Sequence, residues 1–168
     1  PLLATDSLSR AALDPRVDRG PARIVNVSSD SHTFGAIEPD ASLRTRVYKP
    51  LKGYGSSKLA NILFTVELSA RLAGTGVTVN CLHPGFVSTG LARDNKLGVV
   101  VLKVARYFPF VKSPDDGAKD TLMLACDDVT TMGEYYANGK VHETKDYARD
   151  PAMAKRLWDD SAKLVDLD

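Results

Sequence analysis

Three short stretches hold residue types from which proton-transfer chemistry could be assembled. Tyr54 and Lys58 stand four residues apart in YGSSK, a spacing that puts both on one face of a helix. A phenol titrates near ~10 and is a poor acid–base at neutral pH. A neighbouring ammonium favours the phenolate and lowers that value. Ser29 closes the run RIVNVSS, where a fixed hydroxyl could hold a substrate oxygen while Tyr54 gives or takes its proton. The third stretch is Pro84-Gly85-Phe86-Val87-Ser88-Thr89. Such a set suits interconversion of a carbonyl and an alcohol. The hydride that this reaction needs comes from no side chain, so a nicotinamide cofactor is implied. Each signal is weak alone: YxxxK recurs in many helices as an exposed pair, and Ser-Ser after a strand is usually a turn.

The order of elements gives the set its meaning. Residues 2–13 carry a rough helical stripe of Leu2, Leu3, Leu8, Ala12 and Leu13, ended by Pro15, Gly20 and Pro21. Arg23–Val27, a β-branched run between turn residues, predicts a buried strand. Residues 30–50 are polar and irregular, which predicts a long loop; loops of that length are usually functional. Residues 54–73 predict the clearest helix, from Leu59, Ile62, Leu63, Val66, Ala70 and Ala73, stopped by Gly74 and Gly76. Val77–Leu82 predicts a second strand, and His83-Pro84-Gly85 a turn. Strand, helix, strand in this order implies a parallel βαβ unit. Ser113 is a good N-cap for a helix running from Pro114 to about Cys126. A strand at Glu134–Ala137, a turn at Asn138-Gly139 and a helix from Pro151 to Val165 complete the pattern. The class is α/β with a parallel sheet, whose C-terminal edge is where such folds bind ligands.

Composition narrows the function. The 168 residues carry 22 Lys+Arg against 21 Asp+Glu, a net charge of +1, so nothing in the balance points to nucleic acid. Cys81 and Cys126 lack metal-ligand or disulfide-framework spacing and read as reduced thiols, with no metal implied. The apolar stretch Leu97–Val111 is broken by Lys103, Arg106 and Pro109 and is too short to span a bilayer. With no targeting segment recognised, a cytoplasmic location is expected. His32 and His83 read as structural histidines, and Asp115 and Asp116 as acids serving a helix start. The Asn26-Val27-Ser28 sequon lies within a buried strand and is discarded as a glycosylation site.

Together these words resemble the short-chain dehydrogenase/reductase family, in its retinol-dehydrogenase-like and WW-domain-oxidoreductase-like branch. The matching segments are RIVNVSS with His32 nearby, YGSSKLANILFTVE, GVTVNCLHPGFVST, GEYYANGKV and the Arg156-Leu157-Trp158 helix. The resemblance runs from about Arg23 onward. It implies the C-terminal part of a doubly wound, Rossmann-type domain, here one partial domain over residues 1–168. It implies that Ser29 orients the substrate oxygen, with Ser28 the less favoured register, and that Tyr54 is the acid–base. Lys58 would lower the tyrosine's pKa and bond the nicotinamide ribose. Pro84, Gly85, Val87 and Thr89 would hold the nicotinamide end of NADP or NAD, NADP being favoured by the branch. The substrate would be a small, apolar carbonyl or alcohol, closed over by the stretch after the cofactor loop. The long helix from Tyr54 allows a homodimer or tetramer. The family's Gly-rich TGxxxGxG turn, its NNAG strand end and the asparagine of its proton relay have no counterpart before Arg23. The expectation is therefore a chain lacking the family's N-terminal half. The alternative is a truncated, non-catalytic remnant or an interaction protein.

Overall fold

The computed structural model describes residues 22–37, 49–87 and 111–166. The expected helix at 2–13, most of the apolar stretch from Leu97, and Thr89 lie outside these residues. Four strands form the main sheet: β1 (Arg23–Val27), β2 (Thr78–His83), β5 (Tyr135–Ala137) and β6 (Lys140–Val141), in the spatial order β1-β2-β5-β6. β1 pairs parallel to β2 with Arg23 opposite Thr78, and β2 pairs parallel to β5 with Cys81 opposite Tyr135. β6 is the antiparallel return of a hairpin turning at Asn138-Gly139, where both residues take positive φ. A separate parallel pair, β3 (Phe86–Val87) and β4 (Val111–Lys112), follows the end of β2.

Among the described residues, three α-helices cover the sheet: α1 (Pro50–Arg71), α2 (Pro114–Cys126) and α3 (Pro151–Leu164). Strand periodicity sorts the two faces. Cys81 and Tyr135 pack with Leu59, Ile62 and Leu63 of α1 and with Ala154 and Leu157 of α3. The alternate residues Leu82 and Tyr136 pack with Leu124 of α2 on the other face. Leu68, Leu72, Val77 and Val79 continue the α1 side toward Ile24 and Trp158. Trp158 joins α3 to α1, stacked on Phe64 at 5.3 Å with the Arg71 guanidinium 4.3 Å above its ring.

Several boundaries differ from the sequence reading. α1 begins at Pro50, one turn before Tyr54, because Pro50 occupies the first helical turn where its missing N–H costs nothing. His83 is the last residue of β2 and not part of a turn. The segment read as loop after Ser29 opens with a 3-10 helix, Asp30–Phe34, capped by the Ser29 side chain. A second 3-10 helix, Asp146–Arg149, precedes α3. The α2 start is as expected: Ser113 Oγ accepts from the Asp116 N–H at 3.1 Å. Leu63 is fully buried whereas Leu122 on α2 is 59% exposed. Leu63→Ala is expected to lower unfolding free energy by about 2–5 kcal/mol in urea titration, and Leu122→Ala to change it by less than about 0.5 kcal/mol.

Candidate active site

The end of β1 and the second turn of α1 are locked together by backbone. A Cβ added to Gly35 would stand 2.5 Å from the Gly55 carbonyl carbon and 2.7 Å from the Ser56 nitrogen. One added to Gly55 would stand 2.6 Å from the Ser31 oxygen. Two glycines thus let the turn after Ser29 lie directly on the helix, one residue from Tyr54. Ser56 seals the contact, donating to the Ala36 carbonyl at 2.9 Å and accepting from the Ala36 N–H at 3.1 Å.

The two serines after β1 have separate environments. Ser28 is buried; its Oγ donates to the Lys58 carbonyl at 2.7 Å and its N–H to the Leu82 carbonyl at 2.7 Å. Its hydroxyl proton is spent on tying strand to helix. Ser29 is half-buried, and its Oγ accepts from the Ser31 N–H at 3.2 Å, which leaves the hydroxyl proton free to donate. The Ser29 carbonyl takes two donors from His32, the backbone N–H at 3.0 Å and Nδ1 at 2.8 Å. A carbonyl only accepts, so His32 carries its proton on Nδ1.

On α1, the Lys58 ammonium lies 5.5 Å from the centre of the Tyr54 ring and donates to the Val27 carbonyl at 3.2 Å. Asn61 Nδ2 shares that carbonyl at 2.9 Å. Asn61 was not singled out from sequence; its position one turn after Lys58 is the signal that could have found it. Asn26 is committed beneath the same helix, donating to Thr65 Oγ1 at 2.8 Å.

Beyond β2, Gly85 has φ +88°, and a Cβ there would come within 2.8 Å of Lys112 Cδ. Val87 lies in β3, opposite Lys112, with its methyls filling the space that a Cβ at Gly117 would take. A cavity of about 430 Å³ lies beside this pair, lined by Lys112, Asp120, Met123 and Asn138 among others. Ser29, Tyr54 and Lys58 do not line it. Of the cavity's acids, Asp120 accepts from the Gly139 N–H at 2.8 Å through Oδ1 while its buried Oδ2 has no hydrogen-bond partner among the described residues, and Asp116 pairs with Lys119.

A polar cluster of exposed Asp30 with buried Tyr135 and His83 adjoins Ser29. Tyr135 Oη donates to Asp30 Oδ1 at 2.7 Å, and His83 Nε2 lies 3.2 Å from Asp30 Oδ2. The sequence reading assigned His83 to a turn and gave Asp30 and Tyr135 no role. Burial lowers the pKa of His83 below its ordinary value; Asp30 opposes this, while Lys112 and His32 reinforce it and Asp120 opposes. Burial first, and then the hydrogen bond to Asp30, push the Tyr135 phenol above its ordinary range. Burial pushes the Cys81 thiol up to about 12. Cys81 should therefore resist a thiol reagent in the native state while exposed Cys126 reacts, which mass spectrometry of the labelled protein would read. Because the fold favours neutral His83, the stability it contributes is complete above the unfolded value near ~6.5 and is lost as pH falls below it. His83→Gln should flatten that part of the acid decline in denaturant titrations followed by circular dichroism.

No helix among the described residues is long and apolar enough to cross a membrane. Comparison with known proteins extends the pattern. Residues 2–98 match the family model of short chain dehydrogenases. Human retinol dehydrogenase 13 is 38% identical over 168 residues, covering 96% of this chain and 51% of that protein. Mouse retinol dehydrogenase 14 is 40% identical over 149 residues, covering 86% and 45%. The chloroplastic short-chain dehydrogenase TIC 32 A of Brassica napus is 36% identical over 179 residues, covering 98% and 52%. A crystal structure of a Mycobacterium paratuberculosis protein superposes with a TM-score of 0.62 at 33% identity, over 85% of this chain and 50% of that one. The chain spans about half the length of the curated relatives it matches. With that match, a parallel sheet flanked by helices and the ordered RIVNVSS, YGSSK and HPG segments, the chain belongs to the short chain dehydrogenase family and resembles its retinol-dehydrogenase-like branch.

Proposed function

We propose that the native protein is an NAD(P)-dependent oxidoreductase that interconverts a carbonyl and an alcohol on a small, apolar substrate. One observation carries the reading. A single helix holds Tyr54 with the Lys58 ammonium 5.5 Å from its ring, and that helix is fastened to the strand end bearing Ser29 by the Gly35–Gly55 contact and the Ser28 hydrogen bond. The relatives named as retinol dehydrogenases support a lipophilic alcohol or aldehyde as substrate.

In this reading the Ser29 hydroxyl donates a hydrogen bond to the substrate oxygen and orients it. Tyr54 passes its proton to that oxygen during carbonyl reduction and takes it back during alcohol oxidation. The Lys58 charge favours the phenolate that Tyr54 becomes. The residues present also fit the reacting end of a nicotinamide cofactor. An ammonium has three donors, and Lys58 commits one to the Val27 carbonyl, which leaves donors for ribose hydroxyls. Gly85, with positive φ and no Cβ, lets the loop backbone approach a ligand closely. Pro84, Val87 and Thr89 would complete that loop. When bound, the cofactor supplies or accepts the hydride; NADP is favoured over NAD by the branch resemblance.

The test is steady-state turnover of the native full-length protein with NADPH or NADH and a set of aldehydes that includes retinal. Tyr54→Phe should lower kcat by about 10²–10⁴-fold, and Lys58→Met should lower it as well and raise KM for the cofactor. Turnover with Tyr54→Phe equal to wild type would overturn the reading, as would no turnover of any aldehyde by the wild type.

A further inference from the structure

Asp30 follows Ser29 directly, and each of its carboxylate oxygens meets a buried side chain. Tyr135 Oη donates to Oδ1 at 2.7 Å and His83 Nε2 reaches Oδ2 at 3.2 Å. The three residues belong to different parts of the sheet: the turn after β1, the end of β2 and the start of β5. One carboxylate therefore cross-links three neighbouring strands. The Asp30 side chain is 54% exposed, whereas the His83 side chain is 9% exposed and Tyr135 1%. A surface carboxylate is ordinarily free to change rotamer; this one accepts from the Tyr135 hydroxyl and lies against the His83 ring, both of them buried side chains. His32 completes the arrangement, with two donors on the Ser29 carbonyl and its ring edge-on to Tyr135 at 5.2 Å.

Asp30 contributes no apolar surface to the core, so its bonds are not needed to bury the sheet. What they constrain is the direction of the chain leaving Ser29. We propose that Asp30, held by His83 and Tyr135, is a positioning residue that aims the Ser29 hydroxyl at the substrate oxygen. The proposal rests on the reading of Ser29 and Tyr54 given above. Its cause is geometric, since a reacting group displaced by about 1 Å can lose on the order of 10² in rate.

Asp30→Asn is the direct test. An amide accepts at only one of its two atoms and carries no charge, so either Tyr135 loses its acceptor or His83 loses the carboxylate oxygen 3.2 Å away, whichever way the amide turns. In the native full-length protein, with NADPH and retinal, Asp30→Asn should lower kcat about tenfold to a hundredfold and leave KM for NADPH within about twofold. Asp30→Glu, which restores the carboxylate, should recover part of the loss. Tyr135→Phe, which removes one hydroxyl without disturbing the ring, should lower kcat severalfold. By NMR, the His83 ring should titrate at lower pH in Asp30→Asn, because the charge that favours the imidazolium is gone. Asp30→Asn and Tyr135→Phe with wild-type kcat, beside an inactive Tyr54→Phe, would overturn the positioning role alone. A lowered melting temperature with unchanged kcat would overturn it equally. Wild-type turnover with Tyr54→Phe would overturn the oxidoreductase reading and this proposal with it.

Discussion

The arrangement at the sheet edge depends on a contact between two backbones. Gly35 and Gly55 face each other where neither could carry a Cβ without moving main chain. Main chain cannot yield as a long side chain can, so this contact fixes the height of α1 over the turn after Ser29. Tyr54 and Lys58 inherit their placement from it. The hydrogen bonds around it, Ser56 to Ala36 and Ser28 to the Lys58 carbonyl, reinforce the same approach at two further points. The frame thus carries Ser29 two residues past a strand and Tyr54 and Lys58 on a helix, elements more rigid than long loops.

Electrostatics then works on that frame. The Val27 carbonyl gathers the Lys58 ammonium and the Asn61 amide, so the ammonium stays close to the Tyr54 ring. On the other side of Ser29, the Asp30 carboxylate is half-exposed while Tyr135 and His83 against it are buried. The imidazole of His83 is held neutral by burial, and the Tyr135 phenol keeps its proton. Asp30 thus accepts one hydrogen bond, from Tyr135, with the His83 ring 3.2 Å from its other oxygen.

Much of this is legible in the sequence because it is local. β1 runs over Arg23–Val27 as its β-branched pattern implies, and the Ser113 cap, Pro114 and Gly-rich stops act over a few residues. Pro50 was misjudged: read as a loop marker, it begins the helix, since proline suits a first turn as well as a break. The β6 return was missed because Lys140–Val141 is too short to show periodicity. The Asp30, His83 and Tyr135 cluster was illegible for another reason. Asp30 and Tyr135 are 105 positions apart, and only the order β1-β2-β5 makes them neighbours. The Gly35–Gly55 contact is equally non-local in meaning, because each glycine alone reads as a turn or a weak point in a helix.

The small β3–β4 ladder has a consequence for diversification. Chain leaves the ladder after Val87 and returns to it at Val111, so residues 88–110 depart from and rejoin the same two-stranded anchor. The closure entropy of such an excursion grows only slowly with its length, by roughly 0.6 kcal/mol per doubling. Lengthening it beyond Thr89 would therefore cost little folding energy and would leave the sequence around Ser29, Tyr54 and Lys58 unchanged. A fold arranged in this way can vary one excursion of the chain while the strands and helices that carry Ser29, Tyr54 and Lys58 keep their sequence.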